Sequence, residues 1–291
     1  MMREVKRIAT SDIMHAASTP GVLGSSTAAV SAILSTLYQP GVSAREMSRV
    51  ISQEPSMTAR VLRVANSPLY GQARTVSTID RAVILLGLET VRGIAAAACM
   101  RDAILRTTPS APIDTHSLLR HSIATGLAAR ALSAFGHAAL AEDAFVAGVI
   151  HDLGIAVLAR LCEEGVKEVM AEARSDSTRD ISALERERIG IGHAHCAGIV
   201  FEGWHLPASL TAAASHHHEP QLAPVEHRML AALVSLADEM SRRCRLGFVC
   251  ENTPEDASAH AGALLGIARA HLDGVEAALP RSLAELERVL A

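Results

Sequence analysis

The sequence predicts an all-α protein of two helical lobes meeting near residue 110, and three observations predict it. Hydrophobic residues fill 49% of the 291 positions but aromatics only 2%, so the core must be built from Ala, Leu, Val and Ile. Alanine loses no side-chain entropy on ordering and favours helix. Apolar residues recur at helical spacing, strand-like alternation does not, and helix-opening and helix-stopping signals punctuate the chain.

The elements follow in order. Ser25 to Tyr38 has helical apolar spacing and stops at Pro40-Gly41. Ser43-Ala44-Arg45-Glu46 reads as a capping box opening the next helix. Pro55 breaks the chain, and Met57 to Ala65 resumes an amphipathic stripe that ends in the Asn66-Ser67-Pro68 turn. Ser77-Thr78-Ile79-Asp80 caps Ala82 to Leu86, Gly87 interrupts, and Glu89 to Leu105 forms a longer helix. Thr107 to Pro112 reads as a linker. Beyond it lie long helical patterns, about Thr115 to Phe135 and about Glu142 to Cys162, and Thr253-Pro254-Glu255-Asp256 caps a late helix. The expected organisation is an N-terminal helical lobe over 15–110, a second lobe over 111–245 and a helical extension over 246–291.

Composition excludes several classes. A net charge of -4 argues against a generic nucleic-acid binder, and so few aromatics argue against a base-stacking platform. The cysteines, Cys99, Cys162, Cys196, Cys244 and Cys250, form no C-x-x-C pair and read as reduced thiols. Met1 to Ser18 lacks a signal-peptide core, and the apolar stretch Ala82 to Met100 is interrupted by Glu89 and Arg92. No segment approaches the roughly 18 uninterrupted apolar residues of a spanning helix. The expectation is a soluble, cytoplasmic protein with no membrane partner.

The chemistry concentrates in the second lobe. Of 14 histidines, eight fall between His151 and His227. His151-Asp152 ends the apolar run Phe145 to Ile150, and burying an unpaired carboxylate there costs several kcal/mol. A divalent metal would neutralise it, and imidazole and carboxylate are its ordinary ligands. His121, His193, His217, His218 and Asp238 sit in comparable settings. Three consecutive helical residues splay about 100° apart, so His216, His217 and His218 cannot share one ion unless the helix ends there; His216 reads as a neighbour. His195 and Cys196 have ligand spacing but read as surface and core residues. Asn66, Ser67 and Gly71 read as structural, contributing to the packing of one lobe on the other.

The stretch Ile51 to Gly71, with Asn66-Ser67-Pro68-Leu69-Tyr70-Gly71 at its end, resembles the HDOD domain. Ser77 to Val83, Leu85-Leu86-Gly87-Leu88, Glu185-Arg186-Glu187, Gly190, His193, Trp204-His205-Leu206-Pro207 and His217-His218-Glu219-Pro220 extend the resemblance over roughly 15–245. The second lobe resembles the HD phosphohydrolase superfamily, including the HD-GYP phosphodiesterases. That resemblance implies a helical bundle in which His121, His151, Asp152 and Asp238 hold a metal. It also implies that His193, His217 and His218 add a second, with Asp152 as bridge. Two departures weaken hydrolysis. The HD-GYP lysine three residues after the aspartate is Ile155 here, and the Gly-Tyr-Pro segment is absent.

Two functions follow from the resemblance. One is a bacterial signal-transduction module that acts through signalling protein partners, with one or two divalent ions and a phosphate-containing ligand setting its conformation. Fe, Mn, Zn, Ni and Co all suit the ligand set. The other is a metal-dependent phosphohydrolase with Asp152 as catalytic residue, in which Arg186 or Arg188 replaces the missing lysine.

Overall fold

A computed structural model describes residues 7–19, 22–23, 25–39, 41–67, 75–107, 113–176, 179–248 and 261–290. The helical stretches connect without a strand among those residues. Pro68–Gly71, residues 108–112 of the expected linker, Cys250 and the cap at 253–256 lie outside the described residues.

The N-terminal helices are α1 (Thr10–Ser18), α2 (Ser25–Leu37), α3 (Ala44–Ser52), α4 (Pro55–Ala65), α5 (Ile79–Leu86) and α6 (Leu88–Thr107). Their boundaries follow local chemistry. Ser43 and Glu46 exchange the reciprocal bonds of a capping box at the start of α3. Thr78 accepts from the Arg81 amide at the start of α5. Gly87, at φ 87°, separates α5 from α6 in a backbone conformation that other residues avoid. Asn66 caps α4 and clasps Val76, donating to the Val76 carbonyl at 2.8 Å and accepting from the Val76 amide at 2.7 Å. Its side chain therefore ties one part of the first lobe to another and does not bridge the lobes.

The second group comprises α7 (Thr115–Ser133), α8 (Ala141–Ile150), α9 (Leu153–Leu161), α10 (Glu163–Ser175), α11 (Ile181–Arg188), α12 (His193–Gly203), α13 (Ala208–Ser215) and α14 (Arg228–Arg243). A final helix, α15 (Arg269–Leu290), packs on α7 and α4. α6 packs on α2 and α4 and also on α7, α8 and α9, so it joins the two groups. α1 packs against α12 in the second group. The expected single helix from Glu142 to Cys162 is two: a turn at His151-Asp152 divides α8 from α9.

Close approach sets the frame of the second group. α7 crosses α8 at Gly126 and Gly148, and a Cβ on Gly148 would lie 2.7 Å from the Gly126 Cα. Gly154, just past the turn, has no room for a Cβ against the His193 carbonyl, so α9 and α12 meet backbone to backbone. The stretch Ala138–Leu161 is apolar and long enough by composition to cross a membrane, yet 89% of its most apolar window is buried inside the protein. It is the core of the fold.

Candidate metal centre

Five segments deliver the seven predicted ligands. α7 carries His121 in mid-helix; the α8–α9 turn carries His151 and Asp152; His193 opens α12; His217 and His218 follow α13; and Asp238 lies on α14. α13 ends at Ser215, and this lets two consecutive histidines turn toward the same place. Six of the seven are at most 2% exposed, and His218 is half-buried.

Asp152 lies at the middle. Its Oδ2 is 3.5 Å from His121 Nε2 and 3.2 Å from His151 Nε2, while its Oδ1 is 3.5 Å from His193 Nε2 and 3.6 Å from His217 Nε2. Asp238 Oδ1 lies 2.9 Å from His121 Nε2 and 3.8 Å from His151 Nε2. His218 Nε2 lies 2.9 Å from His193 Nε2. The donor atoms form three overlapping triads: His121, His151 and Asp238; His151, Asp152 and His217; His193, His217 and His218.

The surrounding hydrogen bonds fix which ring atoms face inward. His151 Nδ1 donates to the Gly148 carbonyl and His217 Nδ1 to the Ala214 carbonyl, both at 2.7 Å. A carbonyl can only accept, so each neutral ring presents an Nε2 lone pair to the centre. Glu185 Oε2 accepts from both the amide and the Nδ1 of His193 at 2.7 Å. Outward Nδ1 contacts of this kind accompany metal-ligating histidines. With those rings neutral, His151 Nε2, His217 Nε2, Asp152 Oδ1 and Asp238 Oδ1 are buried and have no hydrogen-bond partner among the described residues. Each orphan acceptor costs roughly 1–3 kcal/mol, and a cation would satisfy them together. The residues fit a divalent metal.

The titration shifts have the same origin. Burial acts to raise the Asp152 pKa, but the adjacent His151, then His193 and His121, hold it far below the usual carboxylate range. Burial likewise opposes ionisation of Asp238, and the Arg242 guanidinium, 2.7 Å from Oδ2, overcomes it. Burial pulls His151 down, yet Asp152 and Asp238 drive it well above the ordinary imidazole value, so a divalent ion at its Nε2 would bind in competition with a proton. Burial, reinforced by His151, lowers His217 to about 3.

Several other sequence readings resolve. Ile155 is 1% exposed in the core, so nothing cationic occupies the HD-GYP lysine position. Arg188 is tied to Glu172 at 2.7 Å and does not serve the centre. Arg186 lines a cavity that also borders His218. His216 and the exposed His195 line that cavity too. Cys196 is fully buried, with burial, then Glu185, pushing its thiol pKa upward. Sequence reasoning gave no role to Arg242, although Asp238 and Arg242 at i,i+4 on an apolar helix carried the signal. It also missed the support from Glu185, which no local pattern links to His193, and the packing glycines Gly148 and Gly154.

The HDOD domain family model matches residues 23–220. An uncharacterized protein of Treponema pallidum (strain Nichols) is 24% identical over 203 residues, 69% of this chain and 39% of that protein, so the chain spans well under half of that curated relative. An HDOD domain protein of unknown function from Geobacter sulfurreducens superposes with a TM-score of 0.69 at 24% identity, over 90% of each chain. A provisionally assigned signal transduction protein from Marinobacter aquaeolei VT8 gives 0.71 at 23% identity, over 90% of this chain and 58% of that one. A provisionally assigned phosphohydrolase from Shewanella amazonensis SB2B gives 0.69 at 23% identity, over 91% and 93%. At these identities the structures share the fold.

Proposed function

This chain belongs to the HDOD family, and on that premise we propose that it is a regulatory protein whose buried cavity holds one or two divalent ions and whose output passes through signalling protein partners. The observation that carries the proposal is the convergence of buried imidazole nitrogens and carboxylate oxygens, several of them without a hydrogen-bond partner among the described residues. His121, His151, Asp152 and Asp238 would hold one ion; Asp152, His193, His217 and His218 would hold a second. Bound there, a divalent ion would lower the pKa of a coordinated water and polarise a phosphoryl oxygen.

The chain's own residues prepare the site for an ion. The Gly148 and Ala214 carbonyls and Glu185 hold three rings in orientation before any ion arrives. Arg242 keeps Asp238 ionised. Ile155 puts an apolar core side chain three residues after Asp152, which favours a regulatory role over hydrolysis. The name of the Marinobacter structure agrees with signalling.

The second reading, a phosphohydrolase with Asp152 as catalytic residue, is favoured by one observation: His218, half-buried, borders a cavity. Elemental analysis of the purified protein, paired with hydrolysis of bis-p-nitrophenyl phosphate, separates the two. The regulatory reading expects bound metal, loss of about tenfold or more in metal affinity in Asp152→Ala, and no turnover. Turnover abolished by Asp152→Ala would establish the enzyme. A wild-type protein that takes up no divalent ion would end both readings.

A further inference from the structure

The final helix builds a second cavity, and no member of the histidine cluster lines it. α15 lies beyond residue 220, where the family match ends, and with α7 it walls a cleft of about 660 Å³. That volume lies within the range of small-molecule sites, about 300–1,000 Å³. Lining positions on α15 run from Ala270 to Ser282, a length of about 18 Å at the helical rise of about 1.5 Å per residue.

Local chemistry fixes the two helices around this gap. They run antiparallel: Arg120 pairs with Glu287 at 3.1 Å, and Phe135, just past α7, stacks on His271 with ring centroids 4.2 Å apart. Between those two ties the lining positions are small and exposed, Ala131 and Ala134 on α7 and Gly274 and Ala278 on α15. A Cβ built on Gly274 would meet nothing within 4 Å. A third tie pins α15 to α14. Pro280, inside α15, cannot donate to the carbonyl four residues back, that of Glu276. The Cys244 thiol donates to that carbonyl at 3.7 Å, and Arg243 holds the Glu276 carboxylate at 3.1 Å.

The walls carry one sign of charge. The buried Leu127 and Leu279 supply an apolar floor. Arg130 is the one permanent charge among the lining residues, and none of them is a carboxylate. Its guanidinium bonds Glu142, outside the lining, at 3.0 Å; a guanidinium has five donors in all. An elongated cleft with apolar walls fits an alkyl body, and an arginine with no carboxylate in the wall fits an acidic end.

We propose that the cleft between α7 and α15 binds a free medium-chain fatty acid, its alkyl chain over Gly274 and Ala278 and its carboxylate at Arg130. α7 also carries His121, so such a ligand would sit on the helix that supplies one of the clustered imidazoles. The inference is independent of whether that cluster holds an ion.

The test is calorimetric titration of the full chain with decanoate, nonanoate and decanol. Decanoate is expected to bind about fourfold more tightly than nonanoate, the effect of one more buried methylene. It is expected to bind about tenfold or more tightly than decanol, which lacks the charge for Arg130. Gly274→Leu puts a side chain into open space and raises helix propensity, so it should fold as the wild type does and lose decanoate binding. Arg130→Gln should bring decanoate down to the affinity of decanol. Arg269→Gln, at an exposed α15 arginine outside the lining, changes neither. No binding of decanoate, or binding unchanged in Gly274→Leu, overturns the inference. Equal affinity for decanol and decanoate overturns the acid. A dimer in sedimentation that Gly274→Leu dissociates would assign the cleft to a second copy of the chain, and overturns it too.

Discussion

The two groups of helices bury different things. In the described part of α2 to α6, the buried polar side chains are Ser48, Ser67 and Thr90, with no imidazole or charged group among them. Asn66 makes its polar contacts at the end of α4, outside the apolar core. From α7 to α14 the interior holds His121, His151, Asp152, Glu185, His193, His217, Asp238 and Arg242. The interior of the first region is held by apolar packing, with side-chain hydrogen bonds at helix ends. The second buries imidazoles, carboxylates and a guanidinium, whose desolvation must be offset by their mutual contacts or by an ion. One scaffold thus contains a region with an apolar interior and a region with a cluster of buried imidazoles and charged groups.

That contrast can be broken most sharply at Arg242. Arg242→Met leaves the Asp238 charge buried without its guanidinium, a change that costs about 3–5 kcal/mol for buried pairs. Denaturant unfolding with and without a chelator should show the full loss only in the metal-free protein, because a bound ion supplies the missing positive charge. An equal loss in both states would mean that the second region, like the first, is held by contacts alone. Next in size is Leu34→Ala on α2, where a 1% exposed leucine is replaced. It should cost about 2–5 kcal/mol and leave metal content unchanged; a fall in bound metal would show that the two regions are not separable.

The smallest effect lies at Asp114, which caps α7 outside the cavity. Its carboxylate accepts from the His116 and Ser117 amides at 3.0 and 3.1 Å and from the Ser117 hydroxyl at 2.7 Å. The Ser117 hydroxyl, then its amide, hold the carboxyl below the usual range. A depressed folded-state pKa stabilises fully above the unfolded value of about 3.9 and loses that contribution as pH falls through the folded value. Asp114→Ala should therefore cost roughly 1 kcal/mol at neutral pH, and its stability should converge with wild type in acid. A difference that persists at low pH would assign the effect to something other than the charged cap.

The helices were legible where the signal is local. The capping box at Ser43, the Thr78 cap and the Gly87 break each depend on residues within four positions of one another. The turn between α8 and α9 was not, because nothing in the run from Ala141 to Leu161 breaks helical periodicity. The Gly154 backbone contact with His193, which accompanies the turn, is visible only in three dimensions. The side chains of His121, His151, Asp152, His193, His217, His218 and Asp238 come together from five segments. The residues that orient them did not declare themselves: Glu185 lies eight positions from His193 with a change of helix between, and the carbonyls of Gly148 and Ala214 have no side-chain signature.

Glu185 also makes the centre mechanically continuous with the protein surface. One carboxylate oxygen grips both the amide and the imidazole of His193, so the direction of α12 and the tilt of that ring are set by a single atom. α11, which carries Glu185, ends in Glu187 and Arg188, whose side chains join Arg179 and Glu172 in an outer lattice of charges. One short helix thus spans the distance from a ring deep in the interior to a web of charges facing water.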